Sequence, residues 1–444
     1  MNLTVLFYLA TYSVGLLKSI SGKPVWGLYA YFLSFYFHAP SQWWGQSLPS
    51  FRWALVAAIV TVLSLLIYPP KRGLRFWEFK ENRWLTYLSI LVICQIPFVL
   101  NQPIHYEYVF LSIKFLLFIF IVQNTVWTAK DVRRLIYINL FGGTYLAYLG
   151  MSMHQGGRLE GIGTPGMESA NQLGQHFAVL LLVGGYLLLS KFRYAHLFVA
   201  LALSMILMAI FMTESRGVLA SLGLTGIIAM FFIPHKRKKK FSVFAMLAVI
   251  AASALMGPQI LSRFEGVEKG SDGEMKDASA MSRVVIIKSQ WEMAKGSLLL
   301  GYGHRGTLIL SPSYIPKEYH AQGVGRRASH NVVMAFLVDH GFVGLFMYLM
   351  VVFICCKRIF KVKNKVEYVS EEMRENYREL ASLKVGCILA LICFFVSGLG
   401  SNNKKLEGHI WMFAFVPIIS SRMKRIEDKN HILKLKISNE NEKN

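Results

Sequence analysis

Two arginines and one histidine are the side chains in this sequence best suited to chemistry. Arg216 lies in "FMTESRGVLA", between two almost contiguous apolar runs, and Arg283 lies in "ASAMSRVVIIKSQWEMAKGS". His330 lies in "RRASHNVVMAFLVDHGFVGL", where a long polar loop meets an apolar segment. The guanidinium fork suits phosphate oxygens, and a histidine with an ordinary pKa of about 6.5 suits a general base near pH 7. Arginines around one cavity, beside such a histidine, would fit transfer from a phosphate-activated donor: the arginines hold the departing diphosphate and the histidine activates the nucleophile.

Each of these side chains also has a simpler interpretation. Arg216 could snorkel to lipid headgroups, and Arg283 could be a headgroup-facing charge on a surface helix. A lone histidine is usually structural, and His304 and His340 compete with His330 for the catalytic role. His340 lies deeper in its apolar segment, so we expect it to pack or pair internally.

Further residues in or beside the polar loops are candidates for substrate binding. They are Arg158, Glu214, Trp291, His304, Arg326 and Arg327. The last two could contact a substrate diphosphate or only lipid headgroups. Asp272, Glu274 and Asp277 lie in a Ser/Gly/Lys-rich stretch, so we predict no metal site there and no bound cofactor. No P-loop, dinucleotide-binding fingerprint or Gly-x-Ser-x-Gly motif is present, which argues against coupling to ATP within the chain.

The composition indicates a membrane protein. Of the 444 residues, 54% are hydrophobic and 16% are charged, whereas a soluble domain carries about 25% charged residues. The mean hydropathy is +0.42. The net charge of +23 comes from basic residues in short loops between apolar runs, which indicates membrane topology and no nucleic-acid partner. The excess could also favour anionic membrane lipids or a phosphate-bearing substrate. The five cysteines lie in apolar runs, which excludes a disulfide framework.

About thirteen apolar runs recur along the chain. Backbone that crosses about 30 Å of hydrocarbon must be helical, so we predict an all-α polytopic membrane protein with about 12–13 transmembrane helices. We expect Asn2 to Leu17 to be a retained span, because no charged region precedes it and no small-residue cleavage site follows. The runs extend over about 2–20, 24–39, 51–69, 83–100, 106–126, 132–151, 170–190, 194–213, 216–234, 241–260, 330–356, 380–400 and 408–421.

Basic segments give the orientation. If each run is one span, "KSISGK", "KRGLRFWEFKENR", "TAKDVRR", "SKFRY", "HKRKKK", "CKRIFKVKNK" and the tail from Arg422 all fall on one side, which is predicted to be cytoplasmic. An odd number of spans places the N-terminus outside. Lys404 and Lys405 lie in an external loop, against the rule. The external loops are then at about 40–50, 101–105, 152–169, 214–215, 261–329 and 401–407.

The spans and loops divide the chain into five parts. These are N-terminal transmembrane helices at 1–150, transmembrane helices with the "TESRG" turn at 151–260, a long periplasmic loop at 261–329, C-terminal transmembrane helices at 330–421, and a basic cytoplasmic tail at 422–444. The long loop is expected to carry function and short helices. In it, Val284, Ile287, Trp291 and Ala294 share one face of a predicted helix, which would lie on the membrane surface or fold over a cavity.

Three of these stretches, in this order, resemble the O-antigen ligase and polymerase superfamily. "TESRG" at a tight external turn resembles one part of its signature. "SRVVIIKSQWEMAKGSLLLGYGHRG" is similar to its Ser-Arg…Trp-x-x-Ala…Pro-Leu-x-Gly-x-Gly pattern, with Ser297 where the family usually has proline. "SHNVVMAFLVDHGFVGL" is similar to its His-Asn…Gly-x-x-Gly pattern. The resemblance covers roughly 150 to 360, and "KPVWGLYAYFLSFYFHAPSQWWG" is also similar to the exosortase-associated O-glycosylation ligase variant.

The resemblance implies a metal-independent glycosyltransferase of the bacterial inner membrane, with its active site facing the periplasm. The donor would be a glycan on undecaprenyl diphosphate, and the acceptor would be lipid A core, protein or another glycan. Carried over, Arg216 and Arg283 would bind the diphosphate, and His330 would activate or position the acceptor. Ligase and polymerase remain open, and the N-terminal resemblance favours ligase. A lipid-linked oligosaccharide transporter is a third alternative, but the internal repeats that it should show are not evident.

Overall fold

The computed structural model describes residues 3–71, 73–162, 166–189, 193–233, 238–239, 242, 246, 278–319, 326–360 and 366–441. The regular structure of these residues is helical, and no strand occurs in the described ranges. The predicted all-α class is therefore confirmed. The main helices are α1 Leu3–Ile20, α2 Val25–Phe37, α3 Trp53–Ile67, α4 Lys80–Cys94, α5 Gln102–Thr125, α6 Ala129–Met153, α7 Ala170–Gly185, α8 Arg193–Met212, α9 Arg216–Phe232, α10 Ala278–Lys295, α11 Gly306–Tyr314, α12 Val332–Lys357, α13 Glu371–Gly398 and α14 Glu407–Asn441.

The predicted apolar runs coincide with these helices wherever the structure describes them. The run at 241–260 lies outside the described residues, apart from positions 242 and 246. Among the described helices, those long and apolar enough to cross a membrane are Leu3–Ile20, Gln102–Thr125, Val332–Phe360 and Glu371–Gly398. Shorter apolar helices are Trp53–Ile67, His196–Met212 and Arg216–Phe232.

The core of the bundle lies around α13. This helix packs against α7, α9 and α14, and its most apolar window is 72% buried, compared with 28% for α1. α12 packs against both α4 and α10. α13 is therefore an inner helix, whereas α1 lies at the periphery and exposes most of its apolar surface.

A kink in α12 is filled by the backbone of the preceding loop. Gly341 has φ 65° and ψ −170°, which interrupts the helix. The N–H of Phe342 donates to the Leu298 carbonyl at 2.7 Å, and the N–H of Tyr302 donates to the Val338 carbonyl at 2.9 Å. These bonds satisfy backbone groups that the kink would leave unpaired.

Glycines make this close approach possible. Gly301 has φ 71°, and a Cβ there would overlap the backbone of residues 339–341. Gly341 in turn has no room for a Cβ beside the Leu299 carbonyl. The Gly301 N–H donates to the Ser297 carbonyl at 2.9 Å, and the Ser297 hydroxyl donates to the Gly301 carbonyl at 3.0 Å. Ser297 thus closes the loop by hydrogen bonding at the position where the family pattern that this segment resembles has proline.

The predicted apolar face of α10 is mostly exposed. Val284, Ile287 and Trp291 are 37%, 36% and 46% exposed, and only Ala294 of the predicted set is buried. The inward face of the helix combines polar and apolar side chains. Gln290 on this face donates to the Thr307 hydroxyl at 3.0 Å and to the Ser329 hydroxyl at 2.8 Å. The other buried residues of this inward face are Ser282, Ile286, Ser289 and Met293.

Candidate functional site

The turn between α8 and α9 is three residues long, from Thr213 to Ser215. Glu214 has φ 47°, in the left-handed backbone region that residues other than glycine rarely adopt. Its N–H donates to the Phe211 carbonyl at 2.9 Å, which closes the turn. Residues held in such a region cluster at functional sites. The turn places Arg216 at the first position of α9, where the helix dipole favours an anion.

Four predicted site residues line one cavity at this turn, which we call the arginine cavity. It encloses about 480 Å³, including its open mouth. α9 contributes Arg216, α10 contributes Arg283, and the loop before α7 contributes Arg158. Glu214 is the fourth, so three arginines and one glutamate leave two net positive charges in the lining. The other lining residues are Asn171, Gln175, Ser215, Gly217, Val218, Ser397, Gly400 and Ser401.

Arg158 ties three elements together at one wall of the arginine cavity. Its Nε donates to the Thr213 carbonyl at 3.2 Å, and its Nη2 donates to Asn171 Oδ1 at 3.1 Å. The Ser215 hydroxyl donates to the same Asn171 oxygen at 2.7 Å. The loop before α7, the start of α7 and the α8–α9 turn are therefore held in one arrangement.

His330 lies just before α12 and is held by its sequence neighbours. Asn331 caps α12, because its side-chain oxygen accepts from the Met334 N–H at 3.0 Å. The Asn331 side-chain amide donates to the Leu399 carbonyl at 3.0 Å, at the end of α13. The Ser329 hydroxyl donates to the Asn331 carbonyl at 2.9 Å. The sequence "SHN" thus fixes the backbone on both sides of the histidine.

The surroundings of His330 favour its neutral form. Burial lowers the pKa of His330 below its usual value of 6.5, and the positive charges of Arg283 and Arg327 lower it further. The imidazole is therefore neutral at neutral pH and able to accept a proton. The influence of Arg283 also links the histidine electrostatically to the arginine cavity.

His330 lines a second and larger cavity, which adjoins the first. This large cavity encloses about 2090 Å³, including its open mouth. Asn171 and Ser401 line both cavities, so the two share a wall. The ionisable residues that line the large cavity besides His330 are Glu107, Lys114, Glu168, His176, His304, Arg305, Asp339, Lys404, Lys405 and Glu407.

The segment that carries these motifs has a match among known families. Residues 198–349 match the family model described as O-antigen ligase. The resemblance to the O-antigen ligase superfamily is confirmed. The matched segment includes Arg216, Arg283 and His330, and it indicates a membrane glycosyltransferase in general terms. A search of curated proteins finds no match to the chain.

His304, within the O-antigen ligase segment, is a buried residue of the large cavity. Its ring stacks on Tyr108 with the ring centroids 4.8 Å apart. Its Nδ1 lies 3.7 Å from Asp339 Oδ2. Burial lowers the pKa of His304 far below its usual value, and Lys404 and Lys405 lower it further. This histidine is therefore also neutral.

The remaining candidates of the O-antigen ligase segment lie outside both cavities. Arg327 donates from Nη2 to the Ser282 hydroxyl at 3.1 Å, and its N–H donates to the Ser311 hydroxyl at 2.8 Å. It therefore ties the loop before α12 to α10 and α11. Arg326 and Trp291 are exposed and line neither cavity. His340, which was expected to pair internally, is buried, with Nδ1 2.8 Å from the Gln95 side-chain oxygen.

One buried ion pair beside the site was missed by the sequence analysis. Lys404 and Asp339 are each 2% exposed, and the ammonium contacts the carboxylate directly. Asp339 also accepts from the N–H of Arg305 at 3.1 Å and of Gly306 at 2.8 Å. The available signal was a lysine in a loop predicted to be external, where the positive-inside rule does not call for one.

The acidic residues Asp272, Glu274 and Asp277 lie outside the described residues. Within the described ranges, no group of three or more His, Cys, Asp or Glu side chains is arranged to hold a metal ion. We therefore assign no metal ligands.

Proposed function

We propose that this protein is a membrane-embedded, metal-independent, inverting glycosyltransferase of the O-antigen ligase type. It transfers a glycan from undecaprenyl diphosphate to an acceptor hydroxyl at the periplasmic face of the bacterial inner membrane, with lipid A core or a protein as acceptor. One observation carries the proposal: the arginine cavity shares a wall with the large cavity that holds the neutral His330. The O-antigen ligase match supports the reaction class.

The arginine cavity suits the donor diphosphate. A diphosphate that links a lipid to a sugar carries one negative charge on each phosphate, and the lining supplies two net positive charges. Guanidinium groups bind phosphate oxygens through paired, charge-assisted hydrogen bonds. When the bond from the sugar to the diphosphate breaks, the electron pair stays on the diphosphate oxygen. Arg216 and Arg283 stabilise the charge that develops there.

His330 suits the acceptor side. The acceptor hydroxyl enters through the large cavity and gives its proton to the imidazole, while its oxygen bonds to the anomeric carbon. Attack from the face opposite to the diphosphate inverts the configuration of that carbon. The charges of Arg283 and Arg327 disfavour the resulting imidazolium, so the proton passes readily to solvent through the open cavity.

The grouping of charged residues supports the proposed orientation of a multi-pass protein with about 12–13 membrane helices. Residues from predicted cytoplasmic segments pair with residues near the predicted cytoplasmic ends of other helices. Arg133 contacts Glu379 at 2.7 Å, and Arg358 contacts Glu81 at 2.5 Å. About half of the cavity-lining residues, in contrast, come from the predicted external loops at 152–169, 214–215, 261–329 and 401–407.

The test uses a bacterial strain that lacks this protein, complemented with variants of the full chain. Arg216→Ala and His330→Ala should fail to restore the surface glycan while remaining in the membrane at the wild-type level. Arg52→Ala and His431→Ala are matched controls, because both residues are exposed and line neither cavity. Both control variants should restore the glycan.

Separating the surface glycans by size distinguishes the outcomes. Loss of glycan from the acceptor, with long chains accumulating on undecaprenyl diphosphate, supports a ligase. Loss of long chains, with single repeats still on the acceptor, identifies a polymerase instead. Full activity of Arg216→Ala or His330→Ala contradicts the assigned roles, and a trapped covalent glycosyl-enzyme contradicts the inverting mechanism.

A further inference from the structure

Two cations share one carboxylate at the large cavity, away from the arginine cavity. Lys405 Nζ lies 3.4 Å from Glu107 Oε2, and Arg305 Nη2 lies 3.5 Å from the same oxygen. All three side chains line the large cavity and are partly exposed, at 37%, 43% and 52% for Lys405, Arg305 and Glu107. One carboxylate cannot neutralise two cations, so this cluster keeps one net positive charge.

Buried contacts hold the two cations in place. Arg305 has φ 61°, a left-handed conformation that is costly for arginine. Asp339 fixes this conformation by accepting the N–H groups of Arg305 and Gly306. The same carboxylate pairs with Lys404, the neighbour of Lys405 in sequence. One buried anchor therefore positions both cations, which limits the entropy lost when they bind a ligand.

The surroundings of Lys405 disfavour its charged form, mainly through burial. Burial lowers the pKa of Lys405, and the positive charge of Arg305 lowers it further. Glu107 and, last in size, the exposed Glu168 act in the opposite direction without cancelling these effects. A further anion beside Lys405 and Arg305 would relieve the repulsion between them.

We propose that Arg305 and Lys405 form a second anion site, which binds the acidic group of the acceptor saccharide. This proposal rests on the proposed transferase function and names the chemistry of its acceptor: a sugar that carries a carboxylate or a phosphate. The two residues line the cavity of His330 and not the arginine cavity, so the site serves the acceptor and not the donor diphosphate. Each bond to the anion is charge-assisted, which makes the group a determinant of acceptor choice.

The test measures binding of small probes to the full chain in lipid nanodiscs by saturation-transfer NMR. Methyl glucuronide and methyl glucoside differ only in the carboxylate, and methyl glucoside 6-phosphate provides the phosphate arm. Wild type should bind at least one acidic probe roughly ten-fold more tightly than methyl glucoside. Lys405→Gln and Arg305→Gln should remove that preference. Lys288→Gln, at an exposed external lysine outside both cavities, should keep it.

A gain of binding provides the sharper result. Glu107→Gln removes the competing carboxylate, so it should tighten binding of the preferred acidic probe several-fold and leave methyl glucoside unchanged. A variant that merely disturbs the fold cannot produce this increase. If methyl glucuronide binds more tightly than methyl glucoside 6-phosphate, the acidic group of the acceptor is a carboxylate; the reverse order indicates a phosphate.

Three results would overturn the proposal. Wild type could bind all probes equally or not at all, or the preference could survive in both Lys405→Gln and Arg305→Gln. The lipid diphosphate probe farnesyl diphosphate could bind more weakly to Lys405→Gln than to wild type and bind unchanged to Arg216→Gln, which would make this the donor site. Probe binding needs no glycan transfer, so the proposed function can fail in cells while this site is still measured.

Discussion

Replacing Asp339 by asparagine should destabilise the protein by about 3–5 kcal/mol, because it leaves the buried ammonium of Lys404 without its counter-charge. The carboxylate also accepts two backbone N–H groups, of Arg305 and Gly306. Asparagine offers one side-chain oxygen, so a buried donor left unpaired adds roughly 1–3 kcal/mol. Lys404→Met should cost less than Asp339→Asn, because the carboxylate that remains keeps both backbone hydrogen bonds.

The double variant separates the ion pair from its surroundings. Asp339→Asn with Lys404→Met removes both charges, so it should be more stable than Asp339→Asn alone, by about 2 kcal/mol or more. Thermal and denaturant unfolding of the full chain in nanodiscs would measure the cycle. Glu292→Gln is the control: it breaks an exposed pair with Lys295, 2.7 Å apart, and should change stability by less than about 1 kcal/mol. A double variant as unstable as the sum of its single variants would refute the reasoning.

Three further predictions concern the site and the kink. The midpoint of the acid limb of activity should lie below pH 6.5, because His330 acts as a neutral base and its pKa lies below that value. Arg327→Gln should move this midpoint to higher pH, and a pH–rate profile shows whether it does. Gly341→Ala should destabilise the protein by about 1–3 kcal/mol, because a Cβ would overlap the Leu299 carbonyl and the residue has a positive φ. Thermal unfolding measures this effect, and an unchanged midpoint temperature contradicts it. Arg283→Lys should lower transfer about ten-fold or more at wild-type protein level, since lysine cannot form the paired hydrogen bonds of guanidinium; transfer kinetics at varied donor concentration test this.

The helices could be predicted from sequence because lipid forces apolar backbone to satisfy its own hydrogen bonds. The presence of Arg216 and Arg283 in one cavity could also be predicted, since both lie in segments predicted to be external and in one ordered set of motifs. The inward face of α10 was not accessible from periodicity, because Gln290 finds its partners Thr307 and Ser329 elsewhere in the chain.

The pairing of Lys404 with Asp339 could not be predicted for a similar reason. The two residues are 65 positions apart and belong to different segments, so no local pattern connects them. The sequence indicated only that a lysine lay in a predicted external loop, where the positive-inside rule does not expect one. The distance between the two residues in the fold depends on how α12, α13 and α14 pack, which is a property of the whole bundle.

The wall shared by the two cavities bears on how many sugars of a glycan the protein contacts. Asn171 and Ser401 belong to both linings. In the proposed reaction, the first sugar of the donor, which is attached to the diphosphate, would therefore lie at this wall. Sugars farther from the diphosphate extend from the wall toward the open mouth of the large cavity. Sugars beyond the open mouth lie outside both linings, so no lining residue contacts them. The protein should accept chains of very different length that begin with the same sugar, and the products on its acceptor should keep the length distribution of the lipid-linked pool.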